Sequence, residues 1–375
     1  MGGYLIQRIP GEGTLRRQMP GRNINKEYKM NLFRKLALIA LLPLAAGAAD
    51  VSINGAGASF PAPVYRAWTY GFSQSTGEKI RVNYQSSGSG AGINQIKDGT
   101  VDFGGTDNPL TRKELDAANL CQFPMLTGGV VVIVNIRGVK PNTLQLDQET
   151  LAGIYLGQIK KWNDPKIVAL NPGVKLPKRN IVVVRRSDSS GTSFIFTNYL
   201  SKISKEWRDK VGAGPAVNWP VVGIGGQKNP GVCNTVARIN GAIGYTEYTY
   251  AVEAKLSMVT LKNKAGKFVR PTPATFQSSA ANAQWDPAEG FYMVLTDQSG
   301  DESWPITGVT YVLVQRNQTD AAKAAALLNY FNWCYTSGAV TASRLNYVPL
   351  TGKVLELVRK CWADEIRCNG RPVKF

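Results

Sequence analysis

The sequence predicts an α/β fold, and two patterns along the chain indicate it. Four short runs rich in β-branched and apolar residues favour strands that are buried on both faces, which is typical of parallel sheets. These runs are KIRVNYQ at 79–85, GVVVIVNI at 129–136, NIVVVRR at 180–186 and TYVLVQR at 310–316. Helix-like segments alternate with them at 62–74, 193–203 and 321–338. This alternation is typical of α/β proteins, and 375 residues are enough for two domains.

The N-terminal region predicts an exported protein. Residues 30–50, MNLFRKLALIALLPLAAGAAD, place two cations before an apolar run and small residues at a cleavage position. This layout is typical of a secretory signal peptide over 30–48, whereas a buried core helix is the alternative. We expect Met30 to be the true start and residues 1–29 to be an upstream extension.

Composition restricts the chemistry. The chain is 43% hydrophobic and 19% charged, which indicates a globular protein. It contains no histidine, so a Ser-His-Asp triad, a Cys-His pair and a histidine zinc site are excluded. After residue 50 no apolar run is long enough to span a bilayer, and we expect a soluble exported protein.

The net charge favours an anionic partner only weakly. The formal charge is +18, and loss of residues 1–48, with eight Lys/Arg and two Glu, leaves +12. A basic surface can attract anions, nucleic acid or acidic lipid. However, the cations are spread along the chain without a basic run, so we expect no nucleic-acid partner.

Cysteine usage leaves two possibilities open. The sequence has five cysteines and no Cys-x-x-Cys, which argues against a zinc or thioredoxin-type site. In an oxidising compartment Cys361 and Cys368 could close a small disulfide loop, or both could remain thiols. An odd total leaves at least one thiol unpaired. The cysteines are Cys121, Cys233, Cys334, Cys361 and Cys368.

Three loops rich in glycine and hydroxyl residues each precede a helix-like segment. They are GAGASFPAP at 55–63, SSGSGAGINQI at 86–96 and SDSSGTSFIF at 187–196. Helix N-termini present unpaired N–H groups and bind anions, and Ser and Thr add hydroxyl donors. One such loop is usually only a helix cap, but three in one chain suggest a shared small oxyanion. None is a nucleotide P-loop, because Gly-x-x-x-x-Gly-Lys-Ser/Thr does not occur.

Six stretches identify a family. They are GAGASFPAPVY, VDFGGTDNPL, IYLGQIKKWND, VVRRSDSSGTSFIFTNYL, GAIGYTEYTYA and SWPITGVTYVLV. In this order, from about residue 52 to about 360, the chain resembles the periplasmic phosphate-binding proteins, type II binding proteins that serve bacterial phosphate ABC transporters.

The resemblance implies two α/β lobes joined by two crossing hinge strands, with phosphate buried in the cleft between them. Lobe I would comprise 49–128 and 316–375, and lobe II 136–304. The hinge strands would be 129–135 and 305–315.

The resemblance also implies the phosphate ligands. Ser59 and Phe60 match the first loop, through a hydroxyl and a backbone N–H, and Ser89 matches the serine of the second loop. Arg186 matches the single cationic contact and Asp188 the carboxylate that orients it. The remaining matches are the acidic acceptor Asp107 and the helix-start donors Ser190, Gly191 and Thr192.

Two departures from the family concern the loops. Serine at 59 replaces a frequent threonine and keeps the hydroxyl. GSGAG at 88–92 is poorer in serine than the family loop, which puts a second contact from residue 90 in doubt.

The expected role of Asp107 is discrimination between anions. A carboxylate near an anion is repulsive unless the anion shares a proton, which phosphate carries at neutral pH and sulfate does not. From the residues alone, a turn residue ahead of Pro109 is the favoured interpretation of Asp107. The resemblance favours the ligand role.

The expected function is binding of phosphate in the periplasm by a monomer and delivery to the permease and ATPase subunits of an ABC transporter. We expect no catalysis, cofactor or metal. Two alternatives stay open: a secreted phosphate-binding protein with an adhesive or signalling role, and a phosphate-ester hydrolase with Ser59, Ser89 or Ser190 as nucleophile.

Overall fold

The computed structural model describes residues 51–375, which belong to one compact unit, Ala49–Phe375. The predicted extension at 1–29 and signal peptide at 30–48 therefore lie outside the described residues. No helix within 51–375 combines the length and the apolar character that crossing a bilayer requires.

Strands alternate with helices along the described chain, as predicted. The strands are β1 Val51–Gly57, β2 Ile80–Ser86, β3 Phe103–Thr106, β4 Leu120–Asn135, β5 Gln145–Leu146, β6 Val182–Arg186, β7 Ile224–Gly226, β8 Ala242–Glu247, β9 Ser257–Met258, β10 Thr260–Lys262, β11 Phe268–Val269, β12 Thr307–Gln315, β13 Asn317–Gln318, β14 Val348–Pro349, β15 Arg367–Cys368 and β16 Arg371–Pro372.

The helices include the three that the sequence predicts. They are α1 Ala62–Ser75, α2 Ser89–Lys97, α3 Arg112–Ala117, α4 Gln148–Tyr155, α5 Pro165–Leu170, α6 Gly191–Ile203, α7 Lys205–Lys210, α8 Lys228–Arg238, α9 Tyr248–Glu253, α10 Pro273–Ala280, α11 Ala321–Tyr335, α12 Ala339–Arg344 and α13 Lys353–Glu365. Helix α11 ends at Tyr335, three residues before the end of the predicted segment.

Ten of the described strands form one mixed sheet in the order β2-β1-β3-β12-β4-β8-β6-β7, with β14 and β9 also paired to β4. Strands at the two ends of this order pair in parallel, β1 with β2 and β3, and β6 with β8 and β7. Two small sheets, β11-β10-β5 and β13-β15-β16, complete the strand pairing of residues 51–375.

The prediction of parallel pairing is wrong for two of the four apolar runs. Strand β4 is antiparallel to β12 over its first ten residues and to β8 over its last six. Fifteen of its sixteen residues are buried, because helices and strands cover both faces. Burial on both faces therefore produced an unbroken apolar sequence without a parallel arrangement.

Helix α2 lies against the backbone of the sheet. A Cβ added to Gly92 would stand 2.6 Å from Cα of Gly57 and 2.8 Å from the carbonyl oxygens of Ala56 and Gly105. Those atoms are main chain and cannot rotate away. The absence of a side chain at this position thus fixes the height of α2, and of Ser89 at its start, above β1 and β3.

We predict that Gly92→Ala lowers the free energy of unfolding by about 1–3 kcal/mol, the usual cost of overpacking. Helix propensity alone would favour alanine, so a net loss isolates the steric effect. Urea denaturation measures the change. The control is Gly214→Ala, where the new Cβ would meet no atom closer than 3.4 Å; equal stability of the two variants would contradict the packing described.

Candidate functional site

The structure brings the three predicted loops together at buried positions. The N–H of Gly191 at the start of α6 donates to Oγ of Ser89 at the start of α2, over 3.0 Å. The loop before α1 joins them through Asn229, whose Nδ2 donates to Oγ of Ser59 (3.1 Å) and to Oγ1 of Thr192 (3.4 Å). The beginnings of α2 and α6 and the loop before α1 therefore meet at one buried place.

The first loop is held by tyrosine hydroxyls. Tyr250 donates to the carbonyl oxygen of Ser59 over 2.7 Å, and Tyr347 to that of Phe60 over 2.8 Å. In a trans peptide the carbonyl and the following N–H point in opposite directions. The N–H of Phe60 consequently points away from Tyr250, and the loop is fixed in this orientation.

Three hydroxyl groups of the site accept hydrogen bonds while their protons are available: those of Ser59, Ser190 and Thr192. Ser59 Oγ accepts from the backbone and side-chain nitrogens of Asn229, and Ser190 Oγ accepts from the N–H of Ser193 as the cap of α6. Within residues 51–375 these two hydroxyls, like that of Thr192, donate to no acceptor. Neighbouring N–H groups therefore orient the hydroxyls as donors.

Arg186 supplies one buried cation at the end of β6. Its side chain is 2% exposed, and its Nε and Nη2 donate to the two carboxylate oxygens of Asp188 over 2.8 and 2.5 Å. The remaining nitrogen, Nη1, is buried and has no hydrogen-bond partner among the described residues. The fork is held rigidly by Asp188 and keeps one pair of N–H donors unused.

Asp188 remains a carboxylate in this arrangement. Partial burial favours the neutral acid, but the hydrogen bonds and charge of Arg186, with the N–H of Lys228 at 3.0 Å, lower its pKa below the usual range. The structure thus places Asp188 in contact with Arg186, the residue that it is predicted to orient.

Asp107 is buried beside the same group of donors. It is 2% exposed, and its Oδ1 accepts from Thr310 Oγ1 over 2.8 Å. Ser89 Oγ accepts from its N–H over 3.3 Å and lies 3.5 Å from its Oδ2. Burial raises the pKa of Asp107 from 3.8 to about 7, against the lowering effects of Thr310, of the Arg186 charge and of Ser89. Near neutral pH this carboxyl can therefore exist in either protonation state.

Asn229 and Thr310 are site residues that the sequence analysis missed. Asn229 lies in the first turn of a fourth helix, α8, which glycines precede in IGGQKN. Its Oδ1 accepts from Thr246 Oγ1 and from the N–H of Glu247, both at 3.3 Å. The glycines before α8 were the available signal. Thr310 was hidden because it lies within the apolar run assigned to a strand.

The doubt about residue 90 is explained by close contact between chain segments. The N–H of Gly90 donates to the carbonyl oxygen of Ser189 over 3.1 Å. A Cβ at position 90 would overlap Oγ of Ser189 and lie 2.6 Å from its Cβ, and one at Gly88 would lie 2.9 Å from Oδ2 of Asp188. Serine is therefore sterically excluded at 90 in this conformation.

The chain matches a protein-family model and curated relatives. The model described as PBP superfamily domain matches residues 44–334. Identity is 46% over 325 residues with the phosphate-binding protein PstS of Xylella fastidiosa strain Temecula1, covering 87% of this chain and 88% of that protein. It is 45% with the phosphate-binding protein PstS of Pasteurella multocida, covering 85% and 92%.

Solved structures share the fold. A high-affinity periplasmic phosphate-binding protein, PfluDING, solved with bound phosphate, superposes with a TM-score of 0.67 at 21% identity, covering 82% of this chain and 93% of that one. A phosphate-binding protein from Stenotrophomonas maltophilia gives 0.64 at 21% identity, covering 85% and 96%. The predicted two-lobed periplasmic-binding-protein fold is confirmed.

The pKa of Asp107 predicts how stability depends on pH. Because the folded value of about 7 exceeds the ordinary value of 3.8, the folded chain holds a proton that the unfolded chain releases between these pH values. The stabilisation is complete below pH 4 and is lost as the pH rises to 7. For the phosphate-free protein we expect Asp107→Asn to lose about 4 kcal/mol less unfolding free energy than wild type over this interval.

Urea denaturation at a series of pH values measures this difference. Asp301→Asn, at an exposed aspartate, is the matched control and should keep the wild-type slope. A wild-type slope for Asp107→Asn as well would contradict the burial of this carboxyl.

Proposed function

The chain belongs to the PBP superfamily and, within it, to the family of PstS phosphate-binding proteins, and on that premise we propose that it binds inorganic phosphate at the site described. One observation carries this proposal: buried N–H and hydroxyl donors of three loops meet at one place, together with the unused Nη1 of Arg186. Such an array can satisfy the oxygens of a desolvated oxyanion, because hydrogen bonds to a charged acceptor are strong.

The proposed ligand contacts are the predicted ones. Backbone N–H groups and hydroxyls would bind the phosphate oxygens, Arg186 would supply the cation, and Asp107 would accept the proton that phosphate retains. The donor residues are Ser59, Phe60, Ser89, Ser190, Gly191 and Thr192. With its pKa near 7, Asp107 can match the two protonation states that phosphate adopts near neutral pH.

We propose the lobe boundaries predicted from the sequence, 49–128 with 316–375 and 136–304. The continuous strand β4 supports them, because it pairs with β12 before Val130 and with β8 after it. The contacts of Ser89 with Gly191 and of Gly90 with Ser189 then join opposite lobes. Release of a ligand requires these contacts to separate by a hinge motion.

The function that we propose is transport without catalysis. Ser59, Ser89 and Ser190 are poor nucleophiles, because N–H donors occupy lone pairs of each hydroxyl oxygen. We propose that the protein is exported to the periplasm, acts as a monomer and delivers phosphate to the permease and ATPase subunits of an ABC transporter. Phosphate uptake in a deletion strain tests this role; unchanged uptake would favour an adhesive or signalling function.

We predict that Asp107→Asn decreases the preference for phosphate over sulfate by at least about tenfold, which corresponds to ~1.4 kcal/mol. The amide removes the repulsion that sulfate meets, and it is a poorer acceptor for the phosphate proton. Calorimetric titration with both anions at pH 7 measures the two affinities. A wild-type ratio would contradict the proposed role of Asp107.

We predict that Arg186→Ala weakens phosphate binding by about 100-fold or more, because a buried charge contact is lost. The matched control is Arg185→Ala on the same strand, where alternation directs the side chain to the other face of the sheet. Arg185→Ala should keep the affinity within about threefold. Equal losses in the two variants would place the cationic contact elsewhere.

A further inference from the structure

Two cysteines far apart in sequence meet in the core. Cys121, near the start of β4, and Cys361, in α13, are separated by 240 residues, and their Sγ atoms lie 3.5 Å apart. Cys121 is fully buried and Cys361 is 4% exposed. We propose that these two thiols are a covalent modification site, and that the exported protein carries a Cys121–Cys361 disulfide.

The pairing expected as one possibility from the sequence, Cys361 with Cys368, is therefore replaced. Cys368 lies in β15, beyond the end of the helix that carries Cys361, whereas Cys121 contacts Cys361 directly. All five cysteines are free thiols in the structure. A bond length of about 2.05 Å requires the two sulfurs to approach by about 1.5 Å, within the reach of side-chain rotation.

The surroundings favour a disulfide over a metal site. Oε1 of Glu365 lies 3.7 Å from Sγ of Cys361, so the three residues could in principle supply ligands to a metal ion. However, both oxygens of Glu365 are bound by guanidinium groups, Oε1 by Arg112 and Oε2 by Arg316, each at 3.0 Å. A metal cation would have to displace these ion pairs and remain beside two positive charges.

An oxidant can reach one member of the pair. Cys361 lines a surface cavity of about 640 Å³ together with Arg112, Arg316 and Glu365, whereas Cys121 lies behind it. The hydrogen bond to Cys361 and burial raise the pKa of the Cys121 thiol. These positions assign the first attack to Cys361, because it is the member of the pair that borders the cavity.

The reaction is two thiol–disulfide exchanges with a disulfide of the oxidising compartment, on a small molecule or an oxidoreductase. The thiolate of Cys361 attacks one sulfur of the oxidant, and the other sulfur leaves as a thiolate. Cys121 then attacks Sγ of Cys361 and releases the second sulfur. The pair loses two protons and two electrons, and the oxidant becomes two thiols.

The bond would connect the beginning of strand β4 to helix α13 near the C-terminus. Closing a loop of this length restricts the unfolded chain strongly, and stabilisation is the expected effect. The inference rests on the proposed export, because cytosolic thiols are kept reduced. It does not depend on phosphate binding.

The test uses the full chain secreted into a bacterial periplasm, lysed directly into denaturant with the alkylating reagent so that the buried thiols are accessible. We expect three alkylated cysteines before reduction and five after it, since two of the five are bonded. Peptide mapping should recover one cross-linked species that joins residues 121 and 361. Reduction should lower Tm by about 5 °C or more.

Cys361→Ser should show four alkylated thiols both with and without reductant, and no reductant-dependent change in Tm. The control Cys233→Ser, at a thiol that donates to Thr246 elsewhere in the core, should keep both the cross-link and the Tm difference. Peptide mapping of wild type decides the question even if a variant fails to fold.

Three results would overturn the proposal: five alkylated thiols in the secreted protein, a cross-link from Cys361 to Cys368, or bound zinc that Cys121→Ser removes. Calorimetry with phosphate on the same samples reports the proposed function separately. A cross-linked protein without affinity for phosphate would count against that function alone.

Discussion

Desolvation of a single guanidinium group is the constraint on which the site depends. Arg186 is almost fully buried, and Asp188 compensates for two of its nitrogens while Nη1 stays unpaired. A buried donor without a partner costs free energy because it has lost its hydrogen bonds to water. An anion that accepts from Nη1 would remove this cost. The surrounding hydroxyls add donors without adding charge. They act as donors because Asn229 and the first turn of α6 donate to their oxygen atoms.

Asp107 is the second buried ionisable group at the site. Among residues 51–375 no cation contacts Asp107 directly, and Thr310 forms its shortest hydrogen bond. With both carboxylates ionised, Asp107, Asp188 and Arg186 together carry a net charge of −1, which is unusual for a place that attracts anions. A proton on Asp107, which its raised pKa permits near neutral pH, makes this group of three neutral.

Much of this could be predicted from the sequence because the signals are local. Glycine and hydroxyl residues before a helix, such as Ser89 and Gly191, identify a cap wherever the helix lies. Asp107 needed the family resemblance, since from the residues alone a lone aspartate before Pro109 is better explained by a turn. Thr310 and Asn229 contribute through contacts 203 and 170 residues away in sequence, and no local pattern reports such distances. The prediction of parallel pairing was wrong for β4 for the same reason. The sequence indicates that this strand is buried, but not which strands pair with it.

The absence of side chains at Gly88 and Gly90 determines how closely the loop before α2 can approach Asp188 and Ser189. A methyl group at position 88 would clash with Asp188, and one at position 90 with Ser189, and either clash would favour a more open conformation. Apparent affinity scales with the fraction of molecules in the competent shape. Side chains at positions 88 and 90 would thus change the affinity for a ligand without contacting it.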